Sequence, residues 1–206
     1  MTEQELKKYR KGLVLKPEEE WRRDTFIPFE DRKRIILLSD DLRLPSGVGT
    51  VSKDIVIKTL HHFHWVQVGG AIKHPDQGKI IDMASELEKM VGFKNYMRVY
   101  PVGGYGDADL IRYLINEEKP NAIMHFTDPR FWIWLYQIEA EVRQVCPLLF
   151  YAIWDDLPFP HYNRNYYESC DSIATISKQT HNICKHVLGE ENVISKWTGF
   201  DKGGKV

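Results

Sequence analysis

A short and wholly apolar run near the start of the chain constrains the fold more than any other feature of the sequence. Residues 35–38 are Ile, Ile, Leu and Leu, and the polar residues Ser39, Asp40 and Asp41 follow them directly. After a loop that contains glycines, residues 51–63 repeat apolar side chains at helical spacing. A strand that is apolar on both faces, followed by a glycine turn and a helix, is typical of a buried parallel strand in an α/β domain.

The same alternation continues along the chain. Further strands are predicted at residues 64–72, 96–102, 122–126, 148–154 and 172–176, and a last short strand begins at Val193. Helices are predicted at residues 80–91, 107–116, 128–138, 162–170 and 177–188. On the first helix, the residues expected to face solvent are Ser52, Lys53, Asp54 and Lys58. Because strands and helices alternate with short connections, the sequence predicts an α/β domain with a Rossmann-like, doubly wound parallel sheet.

Composition and charge narrow the class of protein. The chain has 206 residues, of which 43% are hydrophobic and 28% charged, so wholesale disorder is excluded. The formal net charge of -1 gives no general reason to expect nucleic acid or a membrane surface as a partner. We divide the chain into a charged arm at 1–33, a domain at 34–201 and a tail at 202–206. The arm either packs Trp21 or Phe26 onto the domain or offers a basic contact surface.

The cysteines and the apolar runs indicate the cellular compartment in which the protein is expected to lie. Cys146, Cys170 and Cys184 are an odd number without metal-type spacing, which favours reduced thiols and a cytoplasmic protein. The longest apolar run, 146–154, is far shorter than the roughly 18 residues that a membrane helix needs. The first residues are charged and do not resemble a secretory signal. We therefore expect no membrane span.

The glycine loop after the first strand is the first candidate site. Ser46, Gly47, Val48 and Gly49 precede the first helix, and glycines allow backbone N–H groups at a helix N-terminus to approach a phosphate. The loop matches neither the dinucleotide fingerprint nor the P-loop. It is therefore either a phosphate-binding loop or simply a tight strand-to-helix turn.

Polar residues at two later strand ends are the second candidate site. His125 lies at the end of the strand at 122–126, and Asp155 and Asp156 follow the strand at 148–154. Ligands of such sheets bind beyond the carboxyl ends of the strands. The carboxylates could accept hydrogen bonds from sugar hydroxyls, orient a base or bind a metal, although adjacent residues on an extended segment point in opposite directions. Asp156 could instead begin the following loop, and His125 could be a structural histidine.

A metal site is not expected. The histidines at positions 61, 62 and 64 lie near a helix C-terminus, where they suit the helix dipole. No Ser/His/Asp or Cys/His arrangement is legible in the sequence.

Three segments of the sequence, at residues 39–50, 151–158 and 170–201, together resemble the N-terminal, acceptor-side half of GT-B glycosyltransferases, in particular the retaining family of glycogen and sucrose synthases (glycosyltransferase family 4 type). Residues 39–50 resemble that family's first strand and glycine loop, and residues 151–158, YAIWDDLP, resemble its fifth strand. The stretch 170–201 resembles the pattern D-x-I-x-x-x-S followed by Asn-Gly-Val-Asp. The matching positions are Asp171, Ile173, Ser177, Gly199 and Asp201, while Thr198 and Phe200 are substitutions.

The resemblance implies that this half binds the acceptor, and that its glycine loop lies near the phosphates of a nucleotide-sugar donor. It implies no other cofactor. Asp155 stands where the family usually has histidine, so a histidine role is not carried over. The chain stops at Val206, where the family enters the second domain, which binds the donor. We therefore expect a fragment, a truncated frame or one subunit of a split enzyme, with a second chain or self-association covering its apolar surface.

Two other functions remain open from the sequence. The chain is alternatively a non-catalytic Rossmann-like module that binds a nucleotide or a partner protein. A complete small enzyme that uses Asp155 and Asp156 for hydrolysis is the third possibility.

Overall fold

The structure is a computed structural model, and it describes residues 26–71 and 75–189. Within these ranges the strands are β1 (Lys33–Asp40), β2 (Phe63–Gly70), β3 (Ile81–Asp82), β4 (Met97–Pro101), β5 (Ala122–Phe126), β6 (Leu148–Ala152) and β7 (Ser172–Thr175). The α-helices are α1 (Gly47–Thr59), α2 (Ala84–Val91), α3 (Ala108–Glu118), α4 (Ile133–Gln137), α5 (Glu139–Arg143), α6 (Arg164–Glu168) and α7 (Lys178–Leu188). Short 3-10 helices lie at Phe29–Asp31, Pro129–Trp132 and His161–Asn163.

The strands form one sheet of seven strands in the order β3-β4-β2-β1-β5-β6-β7. The pairs β2–β4, β5–β6 and β6–β7 are parallel, and the edge strand β3 is antiparallel to β4. Without β3, the order is the 3-2-1-4-5-6 order of doubly wound nucleotide-binding sheets. The predicted fold class, an α/β domain with a Rossmann-like sheet, is confirmed.

The region around β3 differs from the prediction of one helix over residues 80–91. Ile80 is 53% exposed, and Ile81–Asp82 pairs with β4 as a strand. The Asp82 carboxylate accepts a hydrogen bond of 2.9 Å from the backbone N–H of Ala84, which turns the chain into α2. A strand of two residues is too short to show a period in the sequence, so the boundary was misplaced.

The buried face of α1 also differs from the prediction. Ser52 was expected to face solvent but is fully buried, and Phe63 begins β2 instead of ending the helix. Gly49, Ser52 and Val56 lie on the buried side, at spacings of three and four residues. Gly49 and Ser52 are small residues, which allows close packing on this side of the helix.

Contacts divide the chain into two compact units, each of which is described by itself. Among the described residues, the first unit takes those up to Ile35 and Ser39–Gly104, and the second takes Ile36–Leu38 and those from Tyr105 onward. Buried side chains of the first unit include Leu60, Val66, Met97 and Val99. Those of the second include Ile111, Leu114, Ile123, Phe126, Trp132 and Phe150.

The described end of the arm packs onto the first unit. The rings of Phe26 and Phe93 pack edge to face with their centroids 5.2 Å apart, as one of the two alternatives for the arm predicted. Arg32 is almost fully buried and donates hydrogen bonds to the carbonyls of Ile27, Leu60 and Lys94 at 2.8–2.9 Å. This cation of the arm therefore has a structural role.

Several predictions fall outside the described residues. They concern Trp21, the last strand at Val193, the motif positions Gly199 and Asp201, and the tail at 202–206. In the part of the chain that the structure does describe, no helix combines the length and the hydrophobicity needed to cross a membrane.

Candidate functional site

A cavity of about 260 Å³ lies in the second unit, beyond the carboxyl ends of β5 and β6. It is lined by Thr127, Asp128, Pro129, Phe150, Ile153, Trp154, Asp155, Asp156 and Tyr167. The two predicted carboxylates, Asp155 and Asp156, thus belong to one cavity. A concave apolar surface with a few polar groups is the usual form of a small-molecule site.

The loop that carries Asp155 and Asp156 is fixed by hydrogen bonds from neighbouring residues. The Gln179 amide donates a hydrogen bond of 2.6 Å to the Asp155 carbonyl, and the Trp154 indole N–H donates one of 2.9 Å to the Asp156 carbonyl. The backbone N–H of Leu157 donates to the Asp156 carboxylate at 2.8 Å. Asp156 therefore has the loop-starting role that the sequence left open, and it retains its second carboxylate oxygen for other partners.

Asp128 and Arg130 form an ion pair at the cavity. Asp128 caps the 3-10 helix Pro129–Trp132 by accepting a bond from the Arg130 N–H, and its carboxylate lies 2.5 Å from the Arg130 guanidinium. Burial alone would raise the pKa of Asp128, but the hydrogen bonds and the charge of Arg130 outweigh it and lower that pKa. The bond to Asp128 in turn raises the pKa of Arg130. Both groups are therefore charged at neutral pH.

The Arg130 guanidinium also contacts two aromatic rings. Its central carbon lies 5.7 Å from the ring centroid of Trp154 and 5.6 Å from that of Tyr162. The two rings meet edge to face at 6.1 Å. These distances are those of cation–π contacts, and they connect Trp154, which lines the cavity, to the chain segment that follows β5.

Thr127 has a backbone conformation that is unusual for its residue type. Its φ is +93°, although it is β-branched, and it is nearly buried at the end of β5. Such strain is concentrated at ligand sites, because the surrounding contacts there hold the backbone in place. Thr127 lines the cavity, so this conformation marks the same place as the carboxylates.

His125 is placed in the core and does not line the cavity. Its side chain has no exposed surface, its ring stacks on Phe150 at 4.5 Å, and its Nε2 lies 2.9 Å from the Tyr136 hydroxyl. The Cys170 sulfur is 3.6 Å from the same nitrogen. Burial lowers the pKa of His125 to about 3, so the imidazole is neutral at physiological pH. A catalytic role of His125 stays a prediction. His125 contacts Phe150, which lines the cavity.

Tyr167 is one of the residues that line the cavity, and it carries a buried hydroxyl. The residue is fully buried and its hydroxyl makes no hydrogen bond within the described residues. Burial raises the pKa of Tyr167, and the nearby Asn163 amide opposes this rise without meeting the geometry of a hydrogen bond. A buried polar group without a partner ordinarily binds an ordered water or a ligand. Sequence reasoning missed Tyr167, because an aromatic residue in a helix also fits a core position.

The glycine loop lies in the first unit. The Ser46 hydroxyl accepts a hydrogen bond of 2.9 Å from the Gly49 N–H and donates one of 2.7 Å to the Asp40 carboxylate. A Cβ on Gly49 would lie 2.8 Å from the Leu44 carbonyl oxygen, whereas one on Gly47 would meet nothing within 4 Å. Packing alone therefore explains Gly49. Gly47 is exposed, and the half-buried Val48 follows it in the first turn of α1.

The residues that carry the resemblance near the end of the domain have structural partners. Asp171 accepts hydrogen bonds from the Leu148 N–H at 2.8 Å and from the Arg143 guanidinium at 2.8 Å. Ile173 is buried in β7, and Ser177 caps α7 by accepting a bond from the Thr180 N–H. The pattern D-x-I-x-x-x-S thus joins a strand to a helix, and its residues are explained without a ligand.

No family model, curated protein or solved structure matches the chain. The sheet and the residues that line the cavity define the class as a Rossmann-like α/β domain with an acidic and aromatic cavity. Within the described residues, no group of three or more His, Cys, Asp or Glu side chains has the arrangement of a metal site.

Proposed function

We propose that the chain is the acceptor-binding half of a glycosyltransferase, which transfers a sugar from a nucleotide-sugar donor, and that the cavity binds the acceptor. The observation that carries the proposal is the combination of Asp155 and Asp156 with the aromatic walls of Trp154 and Phe150 in one cavity. Carboxylates accept hydrogen bonds from sugar hydroxyls, and aromatic faces pack against apolar sugar faces. The Rossmann-like fold and its strand order support the same proposal.

The proposed role of this half is to bind and orient the acceptor. Asp155 and Asp156 hold its hydroxyls, so that the reacting oxygen meets the donor in a fixed geometry. The loop at Ser46, Gly47, Val48 and Gly49 is proposed to approach the donor phosphates. The open space around Gly47 supports this part, because an approaching group would find no protein atom there. The donor is proposed to be held mainly by a second domain or chain.

A nucleotide-binding module without catalytic activity is the second candidate function. The strand order supports it, since the same 3-2-1-4-5-6 order is shared by dinucleotide-binding sheets. Its ligand would be a plain nucleotide, and the carboxylates of the cavity would have no part in binding it.

Calorimetric titration of the chain with neutral oligosaccharides and with nucleoside diphosphates separates the two candidates. We expect saccharide binding that is weakened by Asp155→Asn and Asp156→Asn. The amide at position 156 can still accept the Leu157 N–H bond, so the loop is retained. The matched control is Asp109→Asn, since the Asp109 side chain is 93% exposed and does not line the cavity. Binding of nucleotides alone would favour the second candidate, and unchanged saccharide binding in both cavity variants would overturn the acceptor proposal.

A further inference from the structure

The cavity of the second unit has a closed end and an open mouth. Phe150 and Tyr167 are buried, whereas Asp155 and Asp156, which line the same cavity, are exposed. A ligand therefore enters beside the loop that carries the two aspartates. The cavity measures about 260 Å³, which is below the range of about 300–1,000 Å³ that is usual for ligand pockets. A cavity of this size encloses one ring of a sugar, and the remainder of a longer ligand lies outside the mouth.

Two exposed apolar side chains lie at this mouth. Leu157, which directly follows Asp156, is 61% exposed, and Tyr162 is 59% exposed. The rings of Tyr162 and the cavity-lining Trp154 pack edge to face, with their centroids 6.1 Å apart. In the part of the chain that the structure describes, no other large hydrophobic residue is as exposed as these two. Single apolar side chains are common on protein surfaces, but exposed apolar side chains grouped beside a cavity indicate a ligand-binding surface.

Tyr162 is held in place from two directions. The Arg130 guanidinium lies 5.6 Å from its ring centroid, and Arg130 is itself fixed by the ion pair with Asp128. Asn163, the next residue in the same 3-10 helix, is fully buried, which fixes the backbone on that side. A side chain that is already fixed loses little conformational entropy when a ligand packs against it.

The polar groups around Tyr162 suit a sugar better than an alkyl chain. Arg130 donates to Asp128 from Nε and Nη2, while its Nη1 makes no hydrogen bond within the described residues. The Tyr162 hydroxyl can both donate and accept. A sugar ring has an apolar face for the tyrosine ring and hydroxyls at its edge for these groups. An alkyl chain would instead remove water from the ion pair without replacing the hydrogen bonds.

From these observations we propose that the cavity continues into an outer subsite at Tyr162, and that its ligand is an oligosaccharide of at least two rings. The inference rests on the proposed function, because it specifies the acceptor as an oligosaccharide. One ring lies in the cavity, and the next packs against Tyr162 and Leu157 at the mouth. Tyr162 is therefore the residue that determines specificity for the length of the acceptor.

The test compares monosaccharides with the disaccharides built from them, namely glucose with maltose and cellobiose, N-acetylglucosamine with chitobiose, and mannose with mannobiose. Affinities are measured by calorimetry on the full chain. We expect at least one disaccharide to bind on the order of 5-fold more tightly than its monosaccharide, which is the factor that one aromatic contact contributes.

Variants locate the outer subsite. Tyr162→Ala should bring the ratio of disaccharide to monosaccharide affinity close to one, whereas Tyr162→Phe should keep the ratio because it keeps the ring. The matched control is Tyr113→Ala, since Tyr113 is also an exposed tyrosine but lies on α3 and does not line the cavity. Circular dichroism and thermal unfolding verify that each variant is folded. A ratio that Tyr162→Ala does not lower would overturn the inference.

The outcomes also separate this inference from the proposed function. Binding of a monosaccharide without tighter binding of any of its disaccharides would overturn the outer subsite and leave the acceptor proposal in place. No binding of any of these sugars would overturn both. Light scattering adds a further outcome. Self-association of the wild type that Tyr162→Ala abolishes, with no effect of this variant on the affinity ratio, would assign the exposed side chains to a protein interface and overturn the inference.

Discussion

The Tyr136 hydroxyl lies 2.9 Å from Nε2 of His125, and both groups are enclosed in the second unit. His125 also stacks on Phe150, which is one of the residues that line the cavity. The imidazole thus connects a buried polar contact with a wall of the candidate site. Burial disfavours both the charged imidazolium and the tyrosinate, so the pair is neutral.

We predict that the buried His125 lowers the free energy of unfolding as the pH falls. Burial lowers its pKa in the folded protein to about 3, whereas the ordinary value is 6.5. Between these values the unfolded chain binds more protons than the folded one, so the stabilisation is complete above pH 6.5 and is lost as the pH falls toward 3. Each pKa unit corresponds to about 1.4 kcal/mol of unfolding free energy. Urea unfolding at pH 7, 6 and 5 measures the slope.

His125→Gln is the variant that tests this origin. Glutamine keeps an amide within reach of Tyr136 but has no group that titrates in this range. The variant should be less stable than the wild type at pH 7, and its unfolding free energy should depend less on pH between 6.5 and 5. Equal slopes in the two proteins would assign the pH dependence to other residues.

The glycines of the loop should respond differently to the same change. Gly49→Ala should destabilise the protein by about 1–3 kcal/mol, because the new Cβ would lie 2.8–2.9 Å from the carbonyl oxygens of Leu44 and Asp41. Gly47→Ala should be neutral or stabilising by about 0.5 kcal/mol, since it meets open space at the start of a helix. Thermal unfolding of both variants decides, and equal losses would contradict the structure of the loop.

Asp41 and Arg43 form the most enclosed ion pair among the described residues of the first unit. The Asp41 side chain is fully buried, and the Arg43 guanidinium binds it at 2.6 Å and 2.9 Å. Arg43→Met should cost about 3 kcal/mol in urea unfolding, because it removes a principal cationic partner of a buried carboxylate. Adding Asp41→Asn should recover part of the loss. The control is Arg112→Met, whose exposed pair with Glu141 should contribute little.

The fold was predictable where hydrophobic patterns are long and their ends are marked. The bounds of β5 match the prediction, since an apolar run there follows Lys119 and Pro120. Asp107 caps α3 near its predicted start. The two-residue β3 was not predictable, because it is defined only by pairing with β4. The burial of Ser52 was not predictable, because a polar residue in an amphipathic helix is ordinarily expected to face solvent.

The candidate site was predictable only in part. Asp155 and Asp156 were found because they follow a strand that is apolar throughout, where a charge must meet solvent or a partner. Tyr167 comes from a later helix, and tertiary packing alone brings it to the same cavity. The contact between Arg130 and Trp154 joins segments more than twenty residues apart, so no local pattern records it.

Ser177, which carries part of the family resemblance, should prove to be a structural residue. Its hydroxyl accepts a hydrogen bond of 3.1 Å from the Thr180 N–H at the start of α7. Ser177→Ala should lower the unfolding free energy by about 1 kcal/mol, and Ser177→Asp should retain it, because aspartate is an equally good cap. Ligand affinity at the cavity should be the same in both variants under conditions where both are fully folded. Loss of binding in Ser177→Ala at unchanged stability would instead give this position a functional role.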